Sequence, residues 1–180
     1  MSRNHRNPFA IYKAAGILPF ALHEGRALIL LGSEPRKRSE AQRGPHGSVW
    51  WLAFGGKIEP HDEGNPQRTA LREYREESGH ALGEPHMLAR PLWEPRAKYL
   101  LFCARIPHQE QLPRFSDADA RVDATLNKRE LRWLDADTAL AGLTATGIRY
   151  GDEFLPIKPW FAAFLHRERD TLRNISAQLA

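Results

Sequence analysis

Residues 55–79, GGKIEPHDEGNPQRTALREYREESG, constrain this chain more than any other stretch. Asn65 is a strong helix N-cap, Pro66 stands at the first helical position where its missing N–H costs nothing, and Gly79 follows the last periodic residue. Together they predict a helix over 66–78. At about 100° per residue, Ala70, Leu71, Tyr74 and Ser78 share one arc, and Glu73, Glu76 and Glu77 fill the arc beside it. Three carboxylates therefore border the buried face. Like charges four apart destabilise a helix by about 0.2–0.5 kcal/mol per pair, so a cation must compensate. Arg72 and Arg75 would do so on a solvated acidic face; the other solution is a divalent ion, for which hard oxygen ligands favour Mg²⁺ or Mn²⁺.

The flanking chain reads as strands, loops and short helices. Apolar runs at 14–21 and 27–31 are two strands joined by a four-residue connection, and 49–54 is a third, ended by Gly55-Gly56 where the backbone must turn or meet another group closely. Residues 32–48 and 106–128 are polar, Pro-containing stretches that read as long loops. Strands are expected at 86–93, 98–104 and 130–134. Asp135 should cap a short helix through Ala141, stopped by Gly142, and Trp160, Phe161, Phe164 and Leu165 mark an amphipathic C-terminal helix. The length predicts one domain over 1–180, with 1–12 a flexible or edge extension.

Charge is unevenly spread. Residues 1–57 hold nine Lys/Arg against three acids, while the remainder is slightly acidic, which suggests an anionic substrate held between cationic side chains and a carboxylate-bound cation. A nucleic-acid-binding basic third and a solvated basic tail are the other readings. The chain contains neither an apolar run of membrane-spanning length nor a secretory signal pattern, so the expected location is cytoplasmic. Cys103, the sole cysteine, lies in an apolar run and is expected to be buried.

Residues 56–79 closely resemble the signature of the Nudix hydrolases, a loop–helix–loop of Gly, five residues, Glu, seven residues and then Arg-Glu-hydrophobic-any-Glu-Glu-any-Gly. The second half matches position by position from Arg72 to Gly79. The first half is expanded, because fifteen residues separate Gly56 from Arg72 where the pattern has thirteen. Spacing from Gly56 makes Asp62 the counterpart of the first signature Glu; residue type makes it Glu63, which is preferred. The resemblance implies an α/β/α sandwich with a mixed central β-sheet and Mg²⁺- or Mn²⁺-dependent hydrolysis of a nucleoside diphosphate derivative or similar diphosphate.

On that resemblance, Glu73, Glu76 and Glu77 hold the metal with the Gly56 carbonyl, and Arg72 orients the carboxylates. Glu130 is the candidate base, with Asp117, Asp119 and Asp123 as competitors. Lys57 and Arg36, the latter with Lys37 and Arg38, suit phosphate. Trp51, Phe54, Trp93, Tyr99 and Tyr150 are available for base stacking. A weak likeness of residues 150–156 to the oxidised-purine nucleoside triphosphatases of the family adds Asp152 and Glu153. Dinucleoside polyphosphates, capped RNA and diphosphoinositol phosphates are further substrate classes. A non-catalytic binding or regulatory module is the alternative to an enzyme.

Overall fold

The computed structural model describes residues 11–36 and 49–179. Strands β1 (Ala14–His23) and β2 (Arg26–Pro35) form a hairpin closed by Glu24 and Gly25 alone. These residues have φ of 49° and 73°, the positive values that a two-residue turn matching strand twist requires. The expected four-residue connection is thus two residues shorter. β2 also runs past Gly32 to pair with β3 (Val49–Leu52), so residues 32–35 are strand where a loop was expected.

β4 (Phe54–Lys57) pairs antiparallel with β1, placing Gly55 opposite Gly16 and Gly56 opposite Ala15. The two glycines lie inside a strand, where the end of one was expected. β7 (Tyr99–Arg105) runs parallel to β1, which makes the sheet mixed. β5 (His86–Met87) and β6 (Leu92–Glu94) split the single strand expected over 86–93, and both pair with β7. β8 (Leu131–Asp135) pairs with β2; β9 (Gly147–Tyr150) and β10 (Glu153–Pro156) form a separate hairpin.

Helix α1 (Pro66–Glu77) is capped as its sequence dictates: the Asn65 side chain accepts from the N–H groups of Gln67 and Arg68 at 3.0 and 3.3 Å. A 3₁₀ turn (Pro60–Asp62) precedes it. α2 (Asp117–Val122) lies within the second expected loop. Asp135 caps α3 (Ala136–Ala141) by accepting from Thr138, and the C-terminal helix is in fact two, α4 (Pro159–Arg167) and α5 (Arg169–Ala177).

Strand alternation divides the core. Ala15, Ile17, Leu30, Leu100 and Phe102 face Ala70 and Tyr74 of α1. Leu18, Phe20, Ile29, Leu31, Leu101 and Cys103 face Ala139, Phe161, Phe164 and Leu172 of α3, α4 and α5. The result is the predicted α/β/α sandwich. Each fully buried Leu, Ile or Phe contributes about 1.5–3 kcal/mol, so the first layer fixes how α1 sits on the sheet and the second how α3, α4 and α5 do. Cys103 is buried, which pushes its thiol up to about 12. Among the described residues, no helix is long and apolar enough to cross a membrane.

Candidate active site

The acidic arc of α1 is turned towards the glycines of β4. The Gly55 N–H donates to Glu77 Oε2 at 2.7 Å, and the Glu73 carboxylate lies where a Cβ on residue 56 would be. Gly55 has a different neighbour. Its added Cβ would stand 2.5 Å from the Tyr99 hydroxyl, 2.7 Å from Gly16 Cα and 2.8 Å from the Ala15 carbonyl oxygen. These contacts separate two substitutions. Gly55→Ala meets backbone that cannot yield and should lose about 1–3 kcal/mol of stability. Gly56→Ala meets the end of a flexible side chain, so it should melt close to wild type while activity falls as Glu73 is displaced. Thermal melts and initial rates on the two proteins check this.

Arg72 joins the carboxylates. Its Nη1 donates to Glu73 Oε1 at 2.9 Å and Glu76 Oε2 at 3.0 Å, its Nε and Nη2 each reach Asp62 at 3.1 Å, and Nη2 also donates to the Lys57 carbonyl. Asp62 is buried and accepts further from Thr69 and from the Glu59 N–H. Burial pushes its carboxyl up, but the Arg72, Glu59 and Thr69 hydrogen bonds outweigh that and hold it at about 2. Glu63, preferred on residue type, is exposed at φ 55° and pairs with Arg68. Of the two candidates it is therefore Asp62 that meets Arg72, with Glu59 also 3.8 Å from the guanidinium, while Glu63 turns to Arg68.

Three charged residues that sequence reasoning did not select complete the cluster. Lys128 Nζ, fully buried, lies 2.6 Å from Glu34 Oε1 and 3.7 Å from Glu77 Oε2; Lys158 Nζ lies 3.1 Å from Glu34 Oε2. Burial pushes the Glu77 carboxyl up to about 8, opposed by Lys128 and reinforced by Glu34. Glu34 is raised by burial too, yet Lys128 and Lys158 bring it below the usual value. Burial likewise raises Glu73, against the pull of Arg72. A cavity of about 80 Å³ adjoins this cluster, with Glu34, Gly55, Tyr99, Lys158 and Trp160 in its wall. Trp160 is 41% exposed and meets Tyr99 edge-on at 5.5 Å.

Among the described residues, no three His, Cys, Asp or Glu side chains already converge as an ion's ligand set. Glu73 and Glu76 turn to Arg72, and Glu77 to the Gly55 N–H and Lys128. The donor chemistry nevertheless fits a hard divalent cation: carboxylate oxygens from one helix arc, with Glu73 resting on the Gly56 backbone.

The remaining expected residues are dispersed. Lys57 ends β4 with its side chain exposed. Arg36 donates to the Val49 carbonyl at 3.2 Å and stacks on Trp50 at 3.5 Å; Lys37 and Arg38 lie outside the described residues. Trp51 and Phe54 are core residues, 6% and 0% exposed, whose packed rings leave no face for a base, which corrects their expected binding role. Glu130 is half exposed and 3.8 Å from Arg114, apart from the Arg72 cluster. It is Lys128, two residues earlier, that turns inwards. Asp117 pairs with Arg129, Asp119 bonds Ser116, and Asp123 bonds Thr125. Asp152 is exposed in the β9–β10 turn, Glu153 pairs with Arg132, and the Tyr150 hydroxyl accepts from the Asp135 N–H. This hairpin brings neither acid to Glu77.

A family model described as the NUDIX domain matches residues 13–154. No curated protein sequence matches the chain. Among solved structures, the Ap4A hydrolase of C. elegans resembles it at TM-score 0.51 and 19% identity, over 94% of this chain and 99% of that one. The same hydrolase in a binary complex gives 0.50 and 16%, over 90% and 99%. RenU, a Nudix hydrolase from M. smegmatis, gives 0.48 and 21%, over 94% and 88%. At these identities the likeness to the C. elegans hydrolase is one of fold.

Proposed function

Because the chain belongs to the NUDIX domain family and is a pyrophosphohydrolase of that kind, we propose that it cleaves the diphosphate linkage of a nucleoside diphosphate derivative, with Glu73, Glu76 and Glu77 holding Mg²⁺ or Mn²⁺. The observation that carries this reading is the convergence of Glu73 and Glu77 on the Gly55-Gly56 backbone, with Arg72 bonded to Glu73 and Glu76. When bound, the ion screens the negative diphosphate oxygens and makes water a better nucleophile. The protein's part is positional. Arg72 fixes two carboxylates from one guanidinium, and Asp62 fixes Arg72 from behind. The Gly55 N–H holds Glu77 Oε2, the oxygen that Lys128 approaches at 3.7 Å. Gly55 also walls the small cavity, so a substrate entering beside Trp160 and Lys158 has an aromatic face for a base and an ammonium for phosphate close to the carboxylates.

The test is release of phosphate or nucleotide, with product identification, from nucleoside diphosphate derivatives, nucleoside triphosphates including oxidised purines, dinucleoside polyphosphates, capped RNA and diphosphoinositol phosphates. Turnover should require Mg²⁺ or Mn²⁺ and fall in Glu76→Gln and Glu77→Gln. Activity untouched by both substitutions overturns the metal assignment. Binding without turnover at every metal concentration would instead make the chain a binding module.

A further inference from the structure

Glu34, Glu77, Lys128 and Lys158 come from β2, α1, the segment before β8 and the residue capping α4, and they alternate in charge. Lys128 is the centre of the chain. Its side chain is fully buried, its ammonium faces Glu34 and Glu77, and the Phe54 ring lies 5.8 Å away. The fold makes room for it deliberately in one place: a Cβ on residue 32 would stand 2.7 Å from Lys128 Cδ and 2.8 Å from Cγ, so the lysine stem crosses β2 where that strand has no side chain. Two carboxylates in such a dry setting repel strongly unless a cation lies between them. With all four groups ionised their charges sum to zero, and a further divalent ion placed between Glu34 and Glu77 would add positive charge where Lys128 already stands.

We propose that the Lys128 ammonium takes the place of one divalent cation in the carboxylate cluster, so that the chain itself limits how many metal ions it binds. This rests on the metal-dependent reading above, in which the free oxygens of Glu73, Glu76 and Glu77 take the ion or ions that remain. Lys128 is a positioning residue and touches no substrate. Removing its charge leaves Glu34 with Lys158 alone and takes the ammonium away from Glu77, one negative charge in excess, and a divalent ion is then the available partner.

The experiment counts bound Mn²⁺ from the electron paramagnetic resonance signal of the free ion. Lys128→Met is expected to bind one Mn²⁺ per chain more than wild type. Lys128→Arg, which keeps the charge, and Lys128→Met/Glu34→Gln, which removes one charge of each sign, should bind the wild-type number. If Lys128→Met is unfolded without metal, Mn²⁺ should restore its circular dichroism. A Lys128→Met chain that binds the wild-type number, or stays unfolded at millimolar Mn²⁺, overturns the proposal; so does a gain that persists when Glu34 is also removed. Wild type binding no Mn²⁺ would overturn the metal-dependent reading separately, because this test reads the difference between variants.

Discussion

An Arg72→Met chain should lose about 3–5 kcal/mol of stability in denaturant titration, the cost of removing one partner from a buried ion pair. The Arg72 side chain is 13% exposed and Asp62 2%, so the pair is largely shielded from water while it is intact. Deletion also leaves Glu73 and Glu76 without their shared donor. The loss has a pH signature. Asp62 is held at about 2 against an ordinary 3.8, and this depression contributes about 2 kcal/mol, present in full above about pH 4 and lost as pH falls through the folded value near 2. The sign follows because the unfolded chain takes up the proton first as acid is added. Wild type should therefore weaken across that window, and Arg72→Met should show less of this dependence because Asp62 has lost its main donor. An Arg72→Met protein as stable as wild type at pH 7 would contradict the account.

Glu73→Gln separates charge from shape. A glutamine oxygen can still accept from Arg72, so melting should stay near wild type, but the negative charge and the ionic ligand are gone. Metal assistance is worth several kcal/mol, and losing about 3 kcal/mol of it corresponds to about a hundredfold in kcat/KM. Mn²⁺ affinity should fall with it. Full activity in a folded Glu73→Gln protein would remove Glu73 from the ligand set.

What could be read in advance follows the range of the forces involved. The bounds of α1 are local events: a side-chain cap, a proline without an N–H and a terminal glycine act within a few residues. The two-faced core follows from strand alternation, equally local. Misreadings arise where tertiary partners decide. Gly55-Gly56 carries no sign that it will pair with Gly16 and Ala15 and admit Tyr99 and Glu73. Glu34 sits in a stretch rich in prolines and charges, and its two lysines lie 94 and 124 residues away, so no spacing in the sequence announces the cluster. Asp62 and Glu63 illustrate the reverse: counting from Gly56 was the better guide than residue type, because a 3₁₀ turn fixes which of two neighbours points inwards.

The burial of Cys103 has a practical consequence. The chain contains one thiol, and it is held protonated within the layer beneath α4 and α5. Alkylating reagents need the thiolate and access to it, and Cys103 offers neither in the folded state. A cysteine introduced at Val122, 91% exposed at the end of α2, would then react alone. The protein can carry a single fluorophore or spin label with its native sequence otherwise intact, and delayed labelling of Cys103 itself would report each excursion of the core into an open state.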